Sequence, residues 1–146
     1  MPLMERKADI VWEGDLQTGG GRLTVASGAF PELPMTFAAR TERADGKTSP
    51  EELIAGAHAA CFAMAFSNTL KQQASAPERL EVSAVCTLDR VEGALKITTM
   101  DITVSGRVAG IDDARFKELA ALAEQRCPVS NALRNNVDIR LHAQLE

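Results

Sequence analysis

The sequence predicts an α+β fold, with antiparallel sheet wrapped around a buried central helix and the whole of residues 1–146 forming one domain. Three observations carry this. Residues 50–71 combine a helix start with a nearly unbroken run of small and apolar side chains. Two long alternating runs, 80–91 and 95–108, flank Glu92-Gly93-Ala94, the strongest hairpin signal in the chain. Helical and strand patterns also come in blocks, whereas a parallel sheet would interleave them.

Taken in order, residues 8–12 and 22–26 read as a hairpin, with the Gly19-Gly20-Gly21 run as its turn; no helix follows that run, so it is not a phosphate loop. Residues 35–40 read as a third strand ending at Arg40, and 41–48 as a loop. Ser49, Pro50 and Glu52 then make an N-cap, a first-turn proline and a capping box, so the central helix starts near residue 50. From Leu53 to Phe66 only His58 departs from small or apolar character, which predicts a helix buried on all sides. Residues 72–77 are a polar break before the 80–91 and 95–108 hairpin. Residues 112–126 form an amphipathic helix whose apolar side holds Phe116, Leu119, Ala120, Leu122 and Ala123. Cys127-Pro128 opens a short helix to Arg134, and 137–145 alternates as a last strand.

Composition narrows the function classes. The chain has 146 residues, an odd three cysteines and no charged-then-apolar N-terminal signal, which points to a reducing, cytoplasmic setting and makes any disulfide transient and catalytic. The run Leu53–Phe66, interrupted by His58, is shorter than the roughly 20 residues that span a bilayer. A net charge of -4, dispersed basic residues and 4% aromatics exclude the usual nucleic-acid footprint.

The reactive candidates are cysteines. Cys61 lies mid-helix in apolar surroundings, where a thiol is inert unless a cation sits nearby. Cys127 precedes Pro128 at a helix start, where free amides and the dipole favour a thiolate, so local physics makes it the better thiolate. Cys86 alternates inside a strand and reads as packing. Because Glu52 closes the capping box, Glu51 is free for another role. Glu51 lies about 15 Å along the helix axis from Cys61, at about 1.5 Å per residue. If the two share a site, Glu51 comes from a second copy of the chain, with the central helices antiparallel across a dimer axis. His58, Cys61 and Cys127 offer a weak zinc reading against a hydrogen-bonded core histidine.

The stretch Thr-Ser-Pro-Glu-Glu-Leu-Ile-Ala-Gly-Ala-His-Ala-Ala-Cys-Phe-Ala-Met-Ala-Phe-Ser (48–67), with Arg-Cys-Pro-Val-Ser-Asn-Ala-Leu (126–133) and Val-Trp-Glu-Gly-Asp-Leu (11–16), closely resembles the OsmC/Ohr family, the OsmC branch in particular. The resemblance implies an OsmC-like fold in an intertwined homodimer and a thiol peroxidase that reduces organic hydroperoxides. It makes Cys61 the peroxidatic and Cys127 the resolving cysteine, and assigns Glu51 and an arginine to the site. Arg40 matches that arginine, with Arg43 as the alternative. A guanidinium beside Cys61 lowers its pKa, and Glu51 holds the guanidinium by a bidentate pair. No metal or flavin is implied, and an external dithiol or thiol is the reductant. Phe62, Phe66, Met64, Phe37 and Ile54 are the expected apolar entrance, favouring alkyl hydroperoxides over hydrogen peroxide. Two rivals stand beside this: a non-catalytic dimer of the same fold binding a small apolar ligand, and a thioesterase-like enzyme with Glu51 as base or nucleophile.

Overall fold

The computed structural model describes residues 1–146 and packs into two compact units, Met1–Leu53 and Ile54–Glu146. Two three-stranded sheets and four helices give the α+β class expected.

In the first unit, β1 (Ala8–Glu13), β2 (Gly20–Val25) and β3 (Leu33–Met35) form an antiparallel sheet in that order. The β1–β2 turn is made earlier than the glycine run. Asp15 Oδ1 accepts from the Thr18 amide at 2.7 Å and from the Thr18 hydroxyl at 2.8 Å, an Asx-type turn. Gly20 and Gly21 therefore belong to β2, opposite Glu13 and Trp12. A Cβ on Gly21 would stand 2.9 Å from Trp12 Cε3, so glycine here makes room for the indole lying across the strand. The third strand is shorter than the expected 35–40, and Phe37–Thr41 is instead a helix, α1. Thr36 caps it, its Oγ1 accepting from the Ala39 amide at 3.1 Å. A threonine cap followed by two alanines and an arginine outweighs the strand reading.

Helix α2 (Pro50–Gln73) begins as expected, with Ser49 Oγ accepting from the Glu52 amide at 3.1 Å. By length and composition alone this helix could cross a membrane, contrary to the estimate from its apolar run. Its burial is one-sided: His58, Phe62, Phe66, Thr69 and Leu70 face inward, while Gly56, Ala57, Ala60, Met64, Ser67 and Asn68 are exposed. The expectation of burial on every side thus fails for a single chain, because one sheet covers one face.

In the second unit, β4 (Arg79–Val91) and β5 (Ala94–Arg107) form the expected hairpin. Its two-residue turn, Glu92-Gly93, has φ of 50° and 83°, the left-handed pair that matches strand twist. Helices α3 (Asp113–Arg126) and α4 (Pro128–Leu133) then lead to β6 (Asp138–Leu145). β6 pairs with β5 in parallel, so this sheet is mixed rather than wholly antiparallel. Two helices intervene between β5 and β6, and such a crossover is what parallel neighbours require. The core joins Phe62, Phe66 and Leu70 of α2 to Met100, Ile102 and Val104 of β5 and to Phe116, Leu119, Ala120 and Ala123 of α3. Phe66 and Phe116 meet with ring centroids 4.9 Å apart and planes tilted by 60°. Gly106 admits that packing: a Cβ there would stand 2.8 Å from the Phe116 ring.

Candidate active site

The first unit brings Arg40 and Glu51 together. Arg40 is presented by α1 and Glu51 by the first turn of α2. Arg40 Nη2 lies 2.7 Å and Nε 2.8 Å from Glu51 Oε1, and Nε is 3.2 Å from Oε2. Both nitrogens converge on Oε1, with Oε2 taking a longer second contact from Nε, and Glu51 is only 6% exposed within the pair. Arg43, the alternative, is 88% exposed and reaches only Asp45, at 3.9 Å. Beside Arg40 opens a mainly apolar cavity of about 190 Å³, lined by Ile10, Trp12, Leu16, Met35 and Phe37.

The second unit brings Cys61 and Cys127 together. Cys127 is the last residue before α4 and is fully buried; Cys61, on the fourth turn of α2, is partly buried. Both are thiols, and they are near enough for Cys127 to act on the ionisation of Cys61. Burial pushes the Cys61 thiol above its ordinary pKa of 9.0; the Val129 amide, donating to it, pulls down, and the Cys127 thiol adds to the rise. Val129 is the second residue of α4, and its amide is one of the donors a helix leaves unpaired. Cys127 makes no side-chain cap of its own. The helix-start donor that local physics gave to Cys127 is thus used by Cys61, which reaches it from another helix.

Around Cys61 lies a cavity of about 350 Å³ that also touches Met64, Asn68, Thr69, Arg126 and Pro128. Arg126 donates to Gln72 Oε1 at 3.2 Å and to Thr69 Oγ1 at 3.5 Å. Sequence reasoning passed over Arg126, although it adjoins Cys127. It also passed over Ser130, which lies one helical turn beyond Cys127. The expected apolar entrance is only partly present. Met64 lines the Cys61 cavity and Phe37 the Arg40 cavity, but Phe62 and Phe66 are fully buried core residues, and Ile54 packs against that core.

His58 is fully buried, and its Nε2 is 2.7 Å from Ser130 Oγ, the hydrogen-bonded core histidine of the sequence reading. Burial lowers its pKa against an opposing pull from Glu124. No three His, Cys, Asp or Glu side chains come together in a group able to hold a metal ion. Cys86 sits in β4, paired across the ladder with Met100.

Comparison with known proteins places the chain in a family. A family model described as OsmC-like protein matches residues 43–142. Peroxiredoxin OsmC of Escherichia coli K12 is 36% identical over 143 residues, covering 98% of each chain. Organic hydroperoxide resistance protein OhrB of Bacillus subtilis is 33% identical over 95 residues, 64% of this chain and 68% of that protein. Among solved structures, an organic hydroperoxide resistance protein OsmC from Legionella pneumophila superposes with a TM-score of 0.77 at 25% identity, covering 99% of both chains. The crystal structure of OhrB gives 0.75 at 28% identity, covering 94% of this chain and 98% of that one. With a family match across most of its length and a relative aligned end to end, the chain belongs to the OsmC-like family.

Proposed function

We propose that this protein is a thiol-dependent peroxidase that reduces organic hydroperoxides to alcohols, working as a homodimer of single OsmC-like domains in the cytoplasm. The observation that carries the reading is the Cys61 sulfur held against both an α4 amide and the Cys127 thiol. Cys61 as thiolate attacks the distal oxygen of the hydroperoxide. The O–O bond breaks, the alkoxide takes up a proton and leaves as the alcohol, and Cys61 becomes a sulfenic acid, oxidised by two electrons. Cys127 then attacks the Cys61 sulfur; the S–O bond breaks, water leaves and a disulfide forms. An external dithiol returns both thiols by two exchanges.

Cys61 needs a cation to offset its burial, and the Arg40–Glu51 pair is pre-organised to supply it. In this reading the pair arrives from a second copy. The exposed stripe Gly56, Ala57, Ala60 and Met64 supports that assembly, since small residues let a second helix approach closely. The apolar cavity beside Arg40 supports an alkyl substrate, and the same cavity is what the rival reading, a non-catalytic binder of small apolar ligands, would use.

The test is intact mass after one equivalent of cumene hydroperoxide. Wild type should lose two hydrogens, Cys127→Ser should gain one oxygen, and Cys61→Ser should do neither. A wild-type protein that keeps its mass and reacts no faster than free cysteine would favour the binder.

A further inference from the structure

The thiols are not the only link between their two helices. His58 lies three residues before Cys61 on α2, one turn away on the same side, and Ser130 lies three residues after Cys127 on α4. The His58–Ser130 hydrogen bond therefore joins the same two helices one turn from each sulfur. Both side chains are fully buried and the bond is 2.7 Å. It is the only hydrogen bond of that imidazole, because Nδ1 has no partner. On its other side α4 is tied to α3. Arg134 Nη2 lies 2.9 Å from Glu124 Oε1, and Asn131 Nδ2 donates to the Gln125 carbonyl at 3.2 Å. Without the His58 contact, α4 stays with α3, and its spacing from α2 is left to packing and to the contacts at Cys61 itself, the Val129 amide and the Cys127 thiol.

We propose that His58 and Ser130 are positioning residues, a buried clamp that sets the spacing of the α2 and α4 helices and so governs how fast the Cys61–Cys127 disulfide closes and how readily it is reduced. The inference rests on the peroxidase reading, since it concerns that reading's second step. In that step Cys127 sulfur bonds to Cys61 sulfur, the S–O bond of the sulfenic acid breaks and water departs. Closure needs the two sulfurs in line, and a misplacement of about 1 Å can slow such a step by about 10²-fold. The first step forms no bond to Cys127, and a shift of α4 reaches it only through the Val129 amide and the Cys127 thiol, whose effects on the Cys61 thiol oppose each other.

Wild type, Ser130→Ala, His58→Leu and His58→Gln are each followed through one turnover with cumene hydroperoxide. Hydroperoxide loss reports the first step, and disulfide appearance after thiol trapping reports the second. Ser130→Ala and His58→Leu should keep the first rate within about twofold while closure slows by roughly tenfold or more, with sulfenic acid accumulating to dimedone. Their disulfide should shift about 30 mV to higher potential for each tenfold loss, reflecting a lower effective thiol concentration. His58→Gln, whose amide nitrogen can occupy the Nε2 position, should recover most of the closure rate. Ser130→Ala removes a single oxygen, so it keeps the test open if His58→Leu does not fold. Unchanged closure in Ser130→Ala overturns the clamp, as does equal slowing of both steps. Failure of wild type to form the disulfide overturns the peroxidase reading first, and the clamp with it.

Discussion

At Cys61 burial outweighs the Val129 amide, so the thiol of an isolated chain ionises above 9.0. If Arg40 of the partner subunit supplies the missing charge, Arg40→Met should move the pH midpoint of Cys61 alkylation upward, past 9.0, with peroxidase activity falling about 10²-fold or more, the scale of losing one pre-organised charge donor. Arg43→Ala should change neither, and should alter stability by no more than about 0.5 kcal/mol, because its side chain is largely in water. Glu51→Ala leaves a partly buried guanidinium without its carboxylate and should cost about 1–3 kcal/mol in urea unfolding. His58 gives a pH signature. Its folded pKa is depressed below 6.5, so between the two values the unfolded chain binds the extra proton and stability rises with pH. Acidification through 6.5 should therefore lower the urea midpoint, and His58→Gln should flatten that slope. The Cys61 shift has the opposite sense, removing stability as pH rises through 9.0.

The elements show where local rules suffice. The α2 start, the Asp112 cap of α3, whose Oδ1 accepts from the Arg115 amide at 2.8 Å, and the Glu92-Gly93 turn all form where sequence signals put them. Each depends on residues within a few positions of one another. Strand 35–40 gives way to α1 through an equally local cap at Thr36 that the strand reading did not weigh. The seat of α3 on β5 is less forgiving. Gly106→Ala would set a methyl 2.7 Å from Leu80 Cδ2 and 2.8 Å from the Phe116 ring. Overpacking of that kind should cost about 1–3 kcal/mol, visible as a lower Tm. Phe66→Ala, at a fully buried ring that touches both Phe62 and Phe116, should cost about 3–5 kcal/mol.

For the molecule as a whole the proposed chemistry turns on assembly. An apolar helix that leaves Ala57, Ala60 and Met64 in water, Met64 at 72% exposure, is poorly covered by one chain. Ala60→Glu puts a charge on that face without touching the core. Sedimentation at micromolar concentration should then report a monomer with unchanged far-UV circular dichroism and with peroxidase activity lost. An Ala60→Glu monomer that still turns over hydroperoxide at the wild-type rate would sink the cross-subunit site.

The sequence by itself determined the α+β class, the helix starts, the long hairpin and the identity of the two cysteines worth watching, because caps, turns and periodicity act over short stretches of chain. Only the tertiary structure decided that Glu51 pairs with Arg40 rather than Arg43, that β6 runs parallel to β5, and that the α4 amide serves Cys61. It also decided that Phe62 and Phe66 turn inward to the core. Those outcomes join residues far apart in sequence, and packing and chain crossover, which no local pattern encodes, choose among the partners available.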